Sequence, residues 1–239
     1  MRDFRLSKNV LTSPAFFVEF VGPAGSGKST LIDYIRRRHG HEFSHVGVPH
    51  RSIFHRAKSR IIEEIFTRRT FDGHDLDGFS KDRLVKRFSK INAGLDWYAD
   101  RRSGIFLLDE GPLRIMMDYS CHNQNQYRIW RNFCLRALQR FSHYRVLVIF
   151  VKVRPETRHE WRKKRMGPLE MANPNFNPHF RGECPTPGEL LFFREEAKRT
   201  LASRMFEHVA MDELENQGDV DEVAARARQL IHAYCSREP

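Results

Sequence analysis

The sequence predicts an α/β fold, a mostly parallel β-sheet covered by helices on both faces. Three observations lead there. Short runs rich in β-branched and aromatic residues (Phe16 to Val21, Ile105 to Leu108, Val146 to Val153) are apolar except for Glu19 and Lys152, as strands buried on both sides are. Segments with apolar residues three and four apart alternate with these runs, which is the pattern of helices crossing over a parallel sheet in the right-handed sense. The chain has 239 residues, 40% of them hydrophobic, enough for one domain that buries roughly 70–75% of its extended-chain surface. Residues 1–15 read as an N-terminal extension and 16–235 as that single domain.

The first strand, Phe16-Phe17-Val18-Glu19-Phe20-Val21, stops at Gly22-Pro23. A helix follows at once. Leu31, Ile32 and Ile35 give it an apolar stripe, Arg36-Arg37-Arg38 sit where cations suit a helix C-terminus, and Gly40 can end it. Phe43 to Val48, closed by Pro49, is a second and weaker strand. Between Ser52 and Arg101 the spacing gives two helices, one marked by Ile61, Ile62, Ile65 and Phe66, the other by Leu84, Val85, Phe88, Ile91 and Leu95. Gly73, Asp75, Asp77 and Gly78 part them, and Ser80 suits the second N-cap.

Ile105 to Leu108 is a third strand, ended by Asp109-Glu110-Gly111-Pro112. A helix from about Gln124 to Phe141 has Trp130, Phe133, Cys134, Leu138 and Phe141 on one face, and Val146 to Val153 is the clearest strand of all. Pro155 opens a helix carrying Arg158, Arg162 and Arg165. From Gly167 to Gly188 five prolines exclude regular helix or central strand, so this stretch is a lid, a binding loop or disorder. A helix over Glu189 to Ser203 and a short strand near His208 to Met211 come next. In the last helix Asp219 and Glu222 resemble a capping box, with Val220, Val223, Ala224, Ala227, Leu230, Ile231 and Tyr234 on one face.

Composition narrows the function classes. Forty-one Lys and Arg against thirty Asp and Glu give +11, which favours an anionic ligand, a nucleic acid or an acidic membrane surface without choosing among them. No run approaches the roughly 18 apolar residues of a membrane span. The N-terminus lacks an apolar core and carries Asp3, unlike a secretory signal. Four scattered cysteines without a CxxC pair indicate neither a disulfide framework nor a zinc site, which fits a reducing, cytoplasmic location. His39, His41, His45, His50 and His55 lie close in sequence, but no pair stands at i, i+4 on a firm helix with an acid beside it, so a metal site is not expected.

The chemistry is concentrated where strands end. Gly22-Pro23-Ala24-Gly25-Ser26-Gly27-Lys28-Ser29 matches GxxxxGK[ST] between a strand and a helix, and Thr30 extends it. Glycines let backbone N–H groups turn inward around phosphate oxygens, the helix N-terminus adds positive potential, Lys28 can reach the β- and γ-phosphates and Ser29 can hold Mg²⁺. A chance match in a chain of this size is on the order of one in a hundred. Leu107-Leu108-Asp109-Glu110 resembles a Walker B strand end, with Asp109 as the candidate Mg²⁺ carboxylate and Glu110 as a candidate base or water-positioning group. Which acid does which task stays open. Among Arg154, Arg158, Arg162, Lys163, Lys164 and Arg165, the guanidiniums of Arg162 and Arg165 are best placed to meet charge on a transferring phosphoryl group. Arg51, Arg56, Trp97 and Tyr98 are weaker candidates for an acceptor pocket.

In the order of these elements the chain is similar to the nucleoside and nucleotide kinase branch of P-loop proteins, which includes thymidylate kinases and deoxynucleoside kinases. The resemblance implies a three-layer P-loop NTPase fold with a five-stranded sheet and a lid, here about residues 155–188. It implies ATP and Mg²⁺ as cofactors, Gly22 to Thr30 around the phosphates, Asp109-Glu110 as the acidic motif, Arg162 and Arg165 as lid arginines, and a nucleoside or nucleotide as acceptor. Thymidylate kinases have Asp-Arg and deoxynucleoside kinases Glu-Arg where this chain has Asp109-Glu110-Gly111, a departure on the acceptor side. Two other functions compete: an ATPase or nucleotide-dependent switch transferring to water, and a nucleic-acid-end kinase suggested by the charge. The expected partner is a small-molecule acceptor, with nucleic acid second; a homodimer is left open.

Overall fold

A computed structural model describes residues 15–22, 25–45, 57, 61, 93–99, 103–108, 111, 144–165, 195 and 209–236. Five strands form one sheet: β1 (Phe16–Val21), β2 (Phe43–His45), β3 (Ile105–Leu108), β4 (Arg145–Lys152) and β5 (Val209–Glu215). Their order across the sheet is β2-β3-β1-β4-β5, and all four pairings are parallel. Among the described residues, four helical stretches of more than one residue accompany them: α1 (Lys28–His39), α2 (93–99), α3 (Pro155–Arg165) and α4 (Val220–Cys235).

Side-chain alternation along the strands assigns the two faces. Phe16, Val18 and Phe20 of β1, Leu107 of β3 and Leu147, Ile149 and Val151 of β4 form one buried cluster with Leu31, Ile32 and Ile35 of α1 and Val223, Ala224, Ala227 and Ile231 of α4. The opposite parity carries Phe17 and Phe106, whose rings lie 5.6 Å apart, and Tyr98 of α2 packs on Phe106 at 5.0 Å. Helices therefore cover both faces, as strands buried on both sides demand. At roughly 25 cal/mol per Å² of apolar surface, this two-sided burial is the dominant favourable term in folding.

The strand order places the site. The connection leaving β1 runs toward β2, while the one leaving β4 runs toward β5, so the crossovers diverge between neighbouring strands. Ligands of open parallel sheets bind in the crevice that opens there, beyond the carboxyl ends of the strands. The loop after β1 occupies that position.

Several elements depart from the sequence expectation. β4 begins and ends one residue early, and β2 is seen only to His45 because 46–50 lie outside the described residues. β5 runs on to Glu215, past the Met211 limit that its acidic composition suggested. As an edge strand it buries Val209 and Leu214, its acids alternate between the two faces, and Glu213 pairs with Lys152 of β4. The cap of α4 is Asp219, whose carboxylate accepts from the Asp221 N–H at 2.6 Å, and Val220 is exposed rather than part of the buried stripe. The expected helices over 124–141 and 189–203 and the loop 167–188 fall outside the described residues, apart from helical residue 195. So does the extension up to residue 14.

Candidate functional site

The loop between β1 and α1 is held by close backbone approaches that only glycine permits. A Cβ on Gly22 would lie 2.6 Å from the Val151 carbonyl oxygen at the end of β4. One on Gly27 would lie 2.5 Å from the Asn216 amide nitrogen, just past the end of β5. Gly25 and Gly27 have φ of 82° and 81°, left-handed conformations that cost a Cβ-bearing residue about 1 kcal/mol or more. The loop is thus wedged against the ends of two strands, and its glycines are explained by neighbours distant in sequence.

Polar groups lock that arrangement. The Asn216 side-chain amide donates to the Ser26 carbonyl at 2.7 Å, and the Asn216 backbone N–H donates to the Lys152 carbonyl at 2.7 Å. Ser26 is fully buried. Lys28, only 4% exposed, donates through Nζ to the Gly22 carbonyl at 2.8 Å and to Ser26 Oγ at 3.1 Å, so its ammonium spans the loop. Gly27 caps α1 in the left-handed conformation with no side-chain cap, and the first turn holds no acid. The first-turn N–H groups and the positive end of the helix macrodipole are directed at the loop, with no carboxylate in that turn to cancel them. Ser29 is half-buried and Thr30 exposed in that turn. A buried cation, inward-turned backbone and a helix N-terminus together suit a multiply charged phosphate chain.

Beside the loop lies a cavity of about 280 Å³, lined by Gly25, Gly27, Thr30, Leu31, Trp161, Asn216, Gly218 and Val220. It joins four elements: the loop, the start of α1, α3 through Trp161, and the turn from β5 into α4. The Trp161 ring edge reaches within 3.1 Å of where a Gly27 Cβ would stand, so the indole lies directly against the loop backbone. Gly218 turns the chain at φ 100° between Asn216 and the Asp219 cap.

Of the residues predicted from sequence, Gly22, Gly25, Ser26, Gly27, Lys28, Ser29 and Thr30 are brought together as one loop and helix start. Ala24 lies outside the described residues, as do Asp109 and Glu110. β3 ends at Leu108, level with Glu19 of β1, so the acidic pair follows directly from a strand adjacent to the loop-bearing one. The backbone of Arg162 and Arg165 belongs to α3, and their side chains lie outside what is described. Tyr98 and Trp97 form an edge-to-face pair at 4.8 Å and continue into the stack on Phe106 and Phe17. The Phe17 rung is four residues, about 13 Å of strand, before Val21. These two aromatics are engaged in packing there, not at the strand ends; Arg51 and Arg56 lie outside the described residues. His39 and His41 face Glu42, at 3.9 and 3.2 Å.

Trp161, Asn216 and Gly218 escaped sequence reading. Asn216-Gln217-Gly218 before a capped helix could have drawn notice as a turn after a strand, but its approach to residues 26 and 27 is a tertiary fact.

No protein-family model matches the sequence, and no curated protein does. Among solved structures, the deoxyadenosine kinase from M. mycoides with bound dCTP aligns with a TM-score of 0.47 and 13% identity, covering 91% of this chain and 99% of that one. The same kinase with bound dATP aligns with a TM-score of 0.49 and 15% identity, covering 90% and 99%.

Proposed function

We propose that the protein transfers a phosphoryl group from ATP to a small-molecule acceptor, with a nucleoside or nucleotide as first choice. The observation that carries this is the β1–loop–α1 unit: left-handed Gly25 and Gly27, a buried Lys28 spanning the loop, and an uncapped helix N-terminus at the crevice of a parallel sheet. Phosphoryl transfer asks the protein mainly for positioning and for charge stabilisation, and this unit supplies both. Lys28 and the loop amides would hold the β- and γ-phosphates. The cavity beside the loop would take the donor base, stacked on the Trp161 indole.

The donor set also fits Mg²⁺: Ser29 stands one residue after Lys28 in the first turn of α1, and Asp109 follows the strand next to β1. Mg²⁺ bound there would neutralise charge on the phosphate oxygens, and its ligands would be the Ser29 hydroxyl and, directly or through water, Asp109. A carboxylate of Asp109 or Glu110 would accept the proton of the attacking hydroxyl, and Arg162 or Arg165 would approach the transferring group.

The test is ATP turnover measured with and without a panel of nucleosides and nucleoside monophosphates. Stimulation by one acceptor, with stoichiometric phosphorylated product, is expected. Equal hydrolysis across the whole panel would instead identify an ATPase or switch. Trp161→Ala is expected to weaken nucleotide binding by about 1–3 kcal/mol, roughly five- to a hundredfold, while tripolyphosphate binding stays unchanged.

A further inference from the structure

Resting on the phosphoryl-transfer reading, we propose that Asn216 is a positioning residue, which sets the Lys28 ammonium by acting through Ser26. The relay joins three buried side chains: Asn216 is 8% exposed, Lys28 4% and Ser26 not at all. The Asn216 side-chain amide donates to the Ser26 carbonyl at 2.7 Å, across 190 residues of sequence. The Ser26 hydroxyl in turn accepts from Lys28 Nζ at 3.1 Å, and the same ammonium donates to the Gly22 carbonyl at 2.8 Å.

The phosphate-loop pattern fixes Gly22, Gly27, Lys28 and Ser29 but leaves position 26 open. A hydroxyl buried there is costly unless it is bonded, and the bond it makes is to the ammonium. Ser26 also stands between Gly25 and Gly27, both left-handed at φ 82° and 81°, and glycine is the residue least able to hold a backbone conformation by itself. The peptide between them therefore needs an outside anchor. Asn216 supplies it from the sheet, since its own backbone N–H donates at 2.7 Å to the carbonyl of Lys152, the last residue of β4. Its amide nitrogen lies 2.5 Å from where a Gly27 Cβ would stand, so it rests directly on the Ser26–Gly27 peptide. Holding the Ser26 carbonyl fixes where the hydroxyl points. That hydroxyl, with the Gly22 carbonyl, places a cation carried on a flexible four-carbon stem. A misplacement of about 1 Å at a group that meets the transferring phosphoryl costs roughly a hundredfold in rate.

Competitive acetylation of the nucleotide-free full chain, with the label at each lysine read by mass spectrometry, tests the relay without a ligand. Asn216→Ala removes the anchor and Ser26→Ala removes the hydroxyl. Both are expected to raise labelling at Lys28 about fivefold or more relative to the chain's other lysines. Glu42→Gln, which weakens the fold at the far end of α1, should leave Lys28 labelled as in wild type. Mg²⁺-ATP affinity supplies a second readout through a double-mutant cycle. Asn216→Ala should weaken binding about tenfold when Lys28 is present and less than about twofold in the Lys28→Ala background, because members of one hydrogen-bonded chain do not contribute independently. Equal losses in the two backgrounds overturn the proposal, as does Lys28 labelling that is unchanged in Asn216→Ala or raised equally in Glu42→Gln. If Asn216→Ala does not fold, Ser26→Ala alone decides: raised Lys28 labelling supports the relay and unchanged labelling overturns it. A wild-type chain that binds no ATP would sink the phosphoryl-transfer reading, while the acetylation comparison still reports on Asn216.

Discussion

Asn216 links the end of β5 to the phosphate-binding loop through one short hydrogen bond to the Ser26 carbonyl. Removing its amide leaves a buried carbonyl unsatisfied, at a cost of about 1–3 kcal/mol. Asn216→Ala is therefore expected to lower the melting temperature and to weaken ATP binding in parallel, whereas Asn216→Asp, which replaces the donor by an acceptor facing a carbonyl, should be worse on both counts. Differential scanning calorimetry and fluorescence titration check this. Gly27→Ala should fail in a different way, because the backbone is left-handed there and the Cβ meets Asn216. The phosphate loop itself was legible because its requirement is local: glycines, a lysine and a hydroxyl at fixed spacing between a strand and a helix. Trp161 and Asn216 were not, since each meets the loop only after the sheet has assembled.

At the scale of elements, the turn between α1 and β2 is fastened to α4 by Glu42. Arg228 donates to its carboxylate through Nε at 3.0 Å and Nη2 at 2.7 Å, and the His232 ring lies 2.9 Å away. Burial pushes the Glu42 carboxyl up, but hydrogen bonds and charge from Arg228 and His232 outweigh it and leave the group below its ordinary value of 4.5. A folded-state value below the unfolded one means that the unfolded chain binds the proton more readily. The stabilisation is then present above about pH 4.5 and is lost as pH falls through the folded value. Glu42→Gln should lower the melting temperature by about 2–4 °C at pH 7, with the gap to wild type closing as pH falls from 4.5 through the folded value. A constant gap across that range would contradict the assignment.

Strands and helices were readable to the degree that their signal was apolar and periodic. β1, β3 and β4 are buried on both faces, so their sequences are almost wholly apolar and their limits fall within a residue of expectation. β5 was cut short because Asp212, Glu213 and Glu215 interrupt its apolar signal, and composition alone cannot distinguish an edge strand that tolerates acids from a loop. Strand order was not legible at all. It follows from which crossovers pack where, and it is what sets the loop against β4 and β5.

The whole molecule carries +11, and that charge need not mean a nucleic-acid partner. If the anionic ligand sits in a loop whose lysine is buried, its binding should be screened only moderately by salt. ATP affinity is expected to fall by about tenfold or less between 0.05 and 0.5 M NaCl. Duplex binding through surface phosphate contacts would show a log–log slope near −0.9 for each phosphate neutralised, and a steep slope with tight binding would shift the assignment toward a nucleic-acid end. Every other proposal here depends on the grip of residues 22–30 on a triphosphate. Calorimetric titration of Mg²⁺-ATP into wild type and Lys28→Ala tests it most directly. Saturable heat at one site per chain is expected for wild type, with affinity weakened about a hundredfold or more in a variant that melts normally. No heat with well-folded wild type, or equal affinity in the two proteins, would contradict the account.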